Sequence, residues 1–191
     1  MTPPPRSPSW DRLYETAAGQ DGLFTTAQAY AAGYSPELLI HHCHAGRLRR
    51  VRRGIYRLTH FPAGEHEDLM TVWLWSERRG IFSHQTALFL HELSDALPAR
   101  VHITLPASSG HRRLRVPTGV VLHHSDVDEA DRGWFGAVPV TAPLRTLADC
   151  SAASLSPDLL EQAVQDALSR GLVTTAELVS RGIGIAQHGA A

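Results

Sequence analysis

The chain has 191 residues, 43% of them hydrophobic, which is enough for one domain of ordinary size or two small ones. The formal net charge of −1 is unevenly distributed, because residues 1–60 carry eight arginines against four acidic residues and residues 61–191 carry ten against fifteen. No apolar stretch reaches the roughly 20 residues that span a bilayer. Cys43 and Cys150 lie far apart on predicted helices, which argues against a disulfide framework. We therefore expect a globular cytoplasmic protein without a membrane partner.

Two helices separated by a tight turn are predicted in the first quarter of the chain. The first begins after Thr25 or Thr26, either of which can cap a helix, and ends at Gly33, where glycine readily adopts the left-handed conformation. The second begins at Ser35 and Pro36, because serine is a favoured N-cap and proline is favoured at the first helical position. This pattern predicts a helix-turn-helix.

A strongly basic segment follows these helices directly. Residues 46–58 read Gly-Arg-Leu-Arg-Arg-Val-Arg-Arg-Gly-Ile-Tyr-Arg-Leu and contain six arginines but no acidic residue. Residues 48–51 and 55–58 are predicted to form two short strands around a turn that contains glycine. A basic hairpin after a helix-turn-helix is typical of a winged helix that binds DNA through phosphate contacts. The alternative for an arginine run is a solvated surface strand. The DNA contacts expected from this segment are Arg47, Arg49, Arg50, Arg52, Arg53 and Tyr56.

The helix that begins at Ser35 can be divided into faces at 100° per residue, with Leu39 taken as the direction of the core. Glu37, His41 and His44 then lie on the opposite face, and together with Ser35 they are the expected contacts to double-stranded operator DNA. His42 lies nearer the core direction and is predicted to be packed. A metal site in residues 41–44 is not expected, because four adjacent helical residues point in four directions.

The remainder of the chain is predicted to be a second domain. Residues 61–64, Phe-Pro-Ala-Gly, are interpreted as a linker between a winged helix-turn-helix at 1–60 and an α+β domain at 61–191. Helices are expected over 65–79, after 83–86, and over 143–148 and 157–170, with strands at 101–105 and 120–124 and an acidic turn at 126–131. The predicted fold class is therefore α+β, an N-terminal winged helix-turn-helix followed by a mixed α+β domain.

No catalytic signature is evident, and we expect neither an enzyme nor a cofactor nor a metal. The sequence has no glycine-rich phosphate loop, nucleophile elbow or zinc motif. Ser83 and His84 are adjacent, which suits helix capping better than a nucleophile-base pair. His84 and His91 are seven residues apart on one helical face and are interpreted as a capping and a packed histidine. His123 and His124 should point to opposite faces of their strand.

The sequence resembles a known family in several segments. Gly22-Leu-Phe-Thr-Thr-Ala-Gln-Ala, Gly33-Tyr-Ser and residues 46–58 are similar to the N-terminal winged helix of AbiEi-type antitoxins of type IV toxin-antitoxin systems. Ser83-His-Gln-Thr-Ala-Leu-Phe-Leu-His-Glu-Leu and Pro139-Val-Thr-Ala-Pro-Leu-Arg-Thr-Leu-Ala-Asp resemble the domain that follows it. The resemblance implies a transcriptional autorepressor whose C-terminal part counters a nucleotidyltransferase-like toxin. The region after Ala148 is short for that family.

Two other functions are considered. Some relatives with this N-terminal half carry a nuclease domain of the very-short-patch-repair type, which needs an acidic residue on one strand and an acid-x-Lys pair on the next to hold Mg²⁺. The chain contains no lysine, and no acidic pair brackets a strand after Leu147. An interaction module that does not bind DNA would leave the arginines with solubility as their only role, and it accounts poorly for the charge distribution.

Overall fold

The computed structural model of the protein describes residues 7–95, 97–110 and 114–184. The chain divides into two compact units, Met1–Arg78 and Arg79–Ala191. Each unit contains helices and one β-sheet. The predicted mixed α+β class is therefore confirmed. Among the described residues, none of the helices has the length and apolar character needed to cross a membrane.

The described residues of the first unit form four helices and a small antiparallel sheet. Strand order in the sheet is β1-β3-β2, with Leu23 paired to Arg57 and Leu48 paired to Leu58. The elements in chain order are α1 (Trp10–Ala18), β1 (Leu23–Thr25), α2 (Thr26–Ala31), α3 (Pro36–His44), β2 (Leu48–Arg52), β3 (Ile55–Leu58) and α4 (Glu67–Trp75).

Side-chain caps define where α2 and α3 begin. The Thr25 hydroxyl accepts from the Gln28 backbone N–H while the Gln28 side chain accepts from the Thr25 N–H, which forms a complete capping box. The Ser35 hydroxyl accepts from the Leu38 N–H at 3.2 Å, with Pro36 at the first helical position. Gly33 between the helices has φ +93°, the left-handed conformation that ends a helix. The predicted helix starts are confirmed.

The hairpin of β2 and β3 turns at Gly54, where φ is +79°. The register shifts between Arg50 and Arg52, so the strand contains a bulge. The Gly54 carbonyl accepts from the Thr26 N–H at 2.9 Å and ties the turn to the start of α2. The hairpin is therefore held against the helices by its own backbone.

Strand β1 was not expected from the sequence, because a three-residue strand has too few positions to show alternation. Leu23 and Phe24 on this strand are fully buried. Phe24 joins a core that also contains residues of α1, α2, α3, β2 and β3, namely Leu13, Ala17, Ala29, Leu39, Leu48 and Leu58. Strand β1 thus extends the β2-β3 hairpin to three strands and adds buried side chains to the core beneath it.

Helix α4 belongs to the first unit, so the boundary between units falls later in the chain than the predicted division at residue 60. The helix contacts β1 and β3. Its Glu67 carboxylate forms an ion pair with Arg57, at 3.1 Å between Oε2 and Nε. With this boundary the first unit has nine arginines and eight acidic residues, and the second has nine and eleven. The excess of positive charge inferred for the N-terminal part of the chain is therefore confined to the β2-β3 hairpin and its flanking residues.

The second unit is built on a five-stranded mixed sheet with strand order β6-β5-β4-β8-β7. The pairs β5-β6 and β4-β8 are parallel, whereas β4-β5 and β7-β8 are antiparallel. The elements are β4 (Ile81–Phe82), α5 (His84–Leu90), β5 (Val101–Leu105), β6 (Val120–His124), β7 (Arg132–Phe135), β8 (Val138–Thr141), α6 (Pro143–Ala152), α7 (Pro157–Ser169) and α8 (Thr175–Ser180).

Helices α5 to α8 share a second core, which includes Leu88, Leu147, Ala163, Val164 and Leu178. The sequence predicted β5, β6 and α7 close to their observed bounds, and it predicted the start of α6 but ended that helix four residues too early. Strands β4, β7 and β8 and helix α8 were missed. The predicted acidic turn at 126–131 contains Asp131, whose buried carboxylate pairs with Arg145 at 3.3 Å and Arg181 at 2.8 Å. That carboxylate links the loop before β7 to α6 and to the residue that follows α8.

Candidate nucleic-acid interface

Helix α3 presents one buried and one exposed face. Leu39 is only 1% exposed, and it faces the core as the helical phase predicted. The side chains of Glu37, His41 and His44 are exposed on the opposite side. The helix therefore offers three polar groups to solvent without loss of its packed side.

His42 is partly buried, in agreement with its predicted packing. Its ring lies 6.1 Å from that of Trp10 and 5.6 Å from that of Tyr34, measured between centroids. Burial lowers the pKa of His42, and the nearby Arg47 adds to the effect. The imidazole is thus held as a neutral aromatic packing group.

Two residues at the start of α3 have defined local roles. The Ser35 hydroxyl is committed to the Leu38 N–H, so its contribution to α3 is a helix cap. Hydrogen bonds from its own backbone and from Ser35 lower the pKa of Glu37. The exposed Glu37 carboxylate is therefore ionised, and it can accept from a cytosine amino group in a major groove while it repels phosphates.

The hairpin arginines Arg49, Arg50, Arg52 and Arg53 are exposed. Arg49 is 64% exposed and its Nη2 lies 3.4 Å from Glu67 Oε1 of α4. The Arg50 Nε donates to the Arg52 carbonyl at 3.4 Å. Three of the four guanidinium groups thus have no carboxylate partner among the described residues, and the fourth has an exposed ion pair that a phosphate can replace at little cost.

Arg57, the last arginine of the basic segment, has a different environment. Its side chain is 8% exposed, pairs with Glu67 and donates from Nη2 to the Phe61 carbonyl at 2.9 Å. This interaction could not be found from the sequence, because Glu67 lies in a helix assigned there to the second domain. Arg57 is a structural residue that joins β3 to α4.

Tyr56 and Arg47 lie away from the tip of the hairpin. The Tyr56 ring stacks on Phe24 with 5.9 Å between centroids, so most of its surface packs against the core. Arg47 is exposed and lines a cavity of about 470 Å³ together with Trp10, Tyr14 and Phe61. The predicted contacts are thus distributed over α3, the hairpin tip and this cavity.

The second signature segment, residues 139–149, serves structural contacts. The Arg145 guanidinium bonds to Asp149 Oδ1 at 2.8 Å, to the Ser125 hydroxyl at 2.9 Å and to Asp131. Thr146 on the same helix bonds to Thr141 of β8 through its hydroxyl at 2.7 Å. These bonds fix α6 to the sheet and to the preceding loop.

The capping role predicted for Ser83 and His84 is corrected by the structure. Ser83 stands at the N-cap position of α5, but its hydroxyl makes no capping bond to the helix backbone. It bonds instead to the Thr104 hydroxyl at 2.7 Å and to His84 Nδ1 at 2.9 Å. His91 is packed as expected, and its Nε2 donates to the Thr141 carbonyl at 2.7 Å.

Residues 11–59 match the family of transcriptional regulators described as AbiEi antitoxins. This match covers α1 to β3 and confirms the resemblance of that segment inferred from its sequence. The family likeness therefore concerns residues 11–59, which lie within the N-terminal unit.

The fold resembles that of a solved structure across most of the chain. The crystal structure of the RV2827C protein from Mycobacterium tuberculosis superposes with a TM-score of 0.56 at 17% sequence identity, and the match covers 94% of this chain and 73% of that one. At this identity the likeness concerns the fold alone. No curated protein matches the chain in sequence.

Proposed function

We propose that this protein is a DNA-binding transcriptional regulator whose N-terminal unit acts as a winged helix-turn-helix. In this proposal α2 and α3 form the helix-turn-helix, α3 enters the major groove, and the hairpin of β2 and β3 is the wing. The observation that carries it is the exposed polar face of α3 followed directly by a hairpin with four exposed arginines. The match of residues 11–59 to a transcriptional regulator family supports the same function.

In this proposal α3 would contact base edges and the hairpin would contact DNA phosphates. The exposed His41 and His44 can donate or accept hydrogen bonds at base edges, and the Glu37 carboxylate can only accept. Arg50, Arg52 and Arg53 would bind phosphates, which supplies affinity without sequence preference. The extent of α3, three helical turns at most, limits direct reading to a few base pairs for each bound copy.

An autorepressor role and a toxin partner are implied by the resemblance to AbiEi-type antitoxins and belong to the same proposal. A regulator of this class would bind an operator upstream of its own gene and would be encoded beside a nucleotidyltransferase-like toxin. The second unit would contact that toxin. Its nine arginines against eleven acidic residues make it only slightly acidic, so charge gives little support to this step.

DNA binding is tested with the full chain and a fluorescent duplex taken from the region upstream of its own gene. We expect saturable binding that exceeds binding to a scrambled duplex of equal length at physiological salt. His41→Ala and His44→Ala should each reduce this preference by about 1 to 3 kcal/mol for a lost base contact. His42→Ala is the matched control on the same helix and should retain the preference. Equal affinity for both duplexes would contradict sequence-specific regulation.

The toxin step has its own test. The neighbouring reading frame is expressed in the host alone and together with the full chain, and growth is measured. Rescue of growth by the chain supports the partner, and growth arrest that the chain does not relieve contradicts it. Rescue should persist in the variant Arg50→Ala, Arg52→Ala, Arg53→Ala if the second unit alone contacts the toxin.

A further inference from the structure

Three histidines from separate elements of the second unit converge in space. His84 is the first residue of α5, His102 lies on β5 and His123 lies on β6. One ring nitrogen from each residue lies within 4.8 Å of the others. This cluster has no signal in the sequence, because the three positions are about twenty residues apart and have none of the short spacings that mark metal motifs.

The strand register explains why two of them meet. His102 pairs with Val121, and Thr104 pairs with His123, in the parallel ladder of β5 and β6. Residues two apart on a strand share a face, so His102, Thr104 and His123 point to the same side of the sheet. His124, the next residue, points to the other side and is exposed. The two-face alternation expected at 123 and 124 is confirmed, and it directs His123 into the cluster.

Hydroxyl groups orient the first of the three rings. His84 Nδ1 bonds to the Ser83 hydroxyl at 2.9 Å, and that hydroxyl bonds to Thr104 at 2.7 Å. Ser83 and Thr104 are buried. A bond to one ring nitrogen leaves the other, Nε2, free to coordinate, which is the usual arrangement of a metal-bound histidine with its outer-shell partner. His84 also has φ +52°, a strained backbone conformation of the kind that collects at functional sites.

The environment keeps these rings in the form that coordinates metal. Burial lowers the pKa of His84 to about 3 and the pKa of His102 to about 4, with neighbouring His123 adding to both effects. Burial also lowers the pKa of His123, which the Asp149 carboxylate opposes. The Nδ1 of His102 and the Nε2 of His123 are hydrogen-bonded to each other at 3.1 Å, and the His84 ring stacks on the His123 ring with 3.6 Å between centroids, so a shared ion would require these rings to reorient. A neutral imidazole is a transition-metal ligand, whereas an imidazolium is not.

A cavity lies beside the cluster. His84 and His102 open onto a cavity of about 240 Å³, whose walls also include Cys150 and Leu159. The Asp149 Oδ1 accepts from Arg145, but its buried Oδ2 has no hydrogen-bond partner among the described residues. The cavity leaves a further coordination position accessible, and the Asp149 carboxylate near His123 is already paired with Arg145.

We propose that His84, His102 and His123 bind a divalent transition-metal ion, with Zn²⁺ as the best match to three imidazole ligands. Three nitrogens exclude the oxygen-preferring Ca²⁺ and Mg²⁺. Three protein ligands and an open position are the pattern of zinc sites that keep a water or a small ligand. This site is independent of the DNA-binding function proposed for the first unit.

The test uses the full chain, stripped of metal with a chelator and titrated with Zn²⁺ against a chromophoric competitor. We expect one tight site per chain, and Co²⁺ substitution should give the visible bands of a tetrahedral nitrogen site. Asn replacement of His102 or His123 should weaken the tight site by more than the 10- to 100-fold loss expected when the outer-shell hydroxyl is removed in Ser83→Ala. His124→Asn is the matched control on the same strand and should bind Zn²⁺ as the parent does.

A second readout, the melting temperature, accompanies the titration. Zn²⁺ at a large excess over its Kd should raise the melting temperature of the parent chain and of His124→Asn but leave that of His123→Asn unchanged. Circular dichroism of the metal-free variants establishes that they are folded. The proposal is overturned if the parent chain lacks an equimolar Zn²⁺ site, or if His123→Asn and His124→Asn bind with the same affinity. An equal loss of Zn²⁺ affinity in His123→Asn and His124→Asn would show that the metal ligands lie elsewhere.

Discussion

Adjacent apolar residues of α3 have opposite environments. Leu39 is 1% exposed and packs in the core of the first unit, whereas Ile40 is 55% exposed. The helical period predicts a buried Leu39, which the structure confirms, and the structure adds that Ile40 is exposed. The histidines next to them follow the same phase, with His42 partly buried and His41 exposed.

Leu39→Ala should therefore lower the free energy of unfolding by about 2 to 5 kcal/mol, because it leaves a cavity in a packed core. Ile40→Ala is the matched control and should change it by less than about 0.5 kcal/mol, as is usual for surface positions. Urea unfolding followed by circular dichroism measures both. Similar losses in the two variants would show that the phase of α3 is misassigned.

His91 provides a pH-dependent contribution to stability. Burial lowers its pKa, the hydrogen bond to Thr141 opposes that shift, and the Arg170 guanidinium adds to it. The pKa in the folded state therefore lies below the unfolded value of about 6.5. The unfolded state binds more protons below that pH, so this contribution is complete above about pH 6.5 and declines as the pH falls toward the folded pKa.

The variant His91→Gln tests this, because its amide can still donate to the Thr141 carbonyl but does not titrate. The unfolding midpoint in urea should fall less between pH 7 and pH 5 in this variant than in the parent chain. Other buried histidines titrate equally in both, so the difference isolates His91. Parallel pH profiles would contradict a lowered pKa at this residue.

At the scale of elements, the sequence predicted the helices and the turn whose ends are marked by capping residues or by glycine. Caps at Thr25 and Ser35 and the glycine at residue 54 define α2, α3 and the hairpin turn by local chemistry. Strands β1 and β4 have three and two residues, too short for periodicity, and they exist because long-range partners complete their ladders. The DNA contacts expected from local pattern remain predictions, whereas the Arg57–Glu67 pair and the histidine cluster needed the fold.

The hairpin gives a prediction on salt dependence. Simultaneous Arg50→Ala, Arg52→Ala and Arg53→Ala should flatten the slope of log K against log salt by roughly 3 units, at about 0.9 for each lost phosphate contact. The matching triple substitution to lysine keeps the charge and should keep most of the slope, although it loses bidentate geometry. Anisotropy titrations at four salt concentrations measure both. An unchanged slope in the alanine variant would show that the hairpin arginines do not contact DNA phosphates.

At the scale of the whole molecule, the division into units depends on α4. Sequence composition favours a boundary at the Pro- and Gly-containing residues 61–64, but Glu67 pairs with the buried Arg57, and α4 packs on β1 and β3. A boundary before α4 would leave a guanidinium that is 8% exposed without its carboxylate. Removal of one member of a buried ion pair is costly because the remaining charge stays desolvated.

A fragment of residues 1–60 should therefore be much less stable than a fragment of residues 1–78, although both retain α1 to β3. We expect cooperative thermal unfolding of the longer fragment and a lower, broader transition in the shorter one, measured by circular dichroism. Glu67→Gln in the longer fragment separates the ion pair from the packing of α4: it should destabilise by about 3 to 5 kcal/mol if Arg57 is left as an unpaired buried charge. The longer fragment should also retain the salt-dependent DNA binding of the full chain, since it keeps α3 and all the hairpin arginines. Equal stability of the two fragments would place the boundary at residue 60 and make α4 part of the second unit.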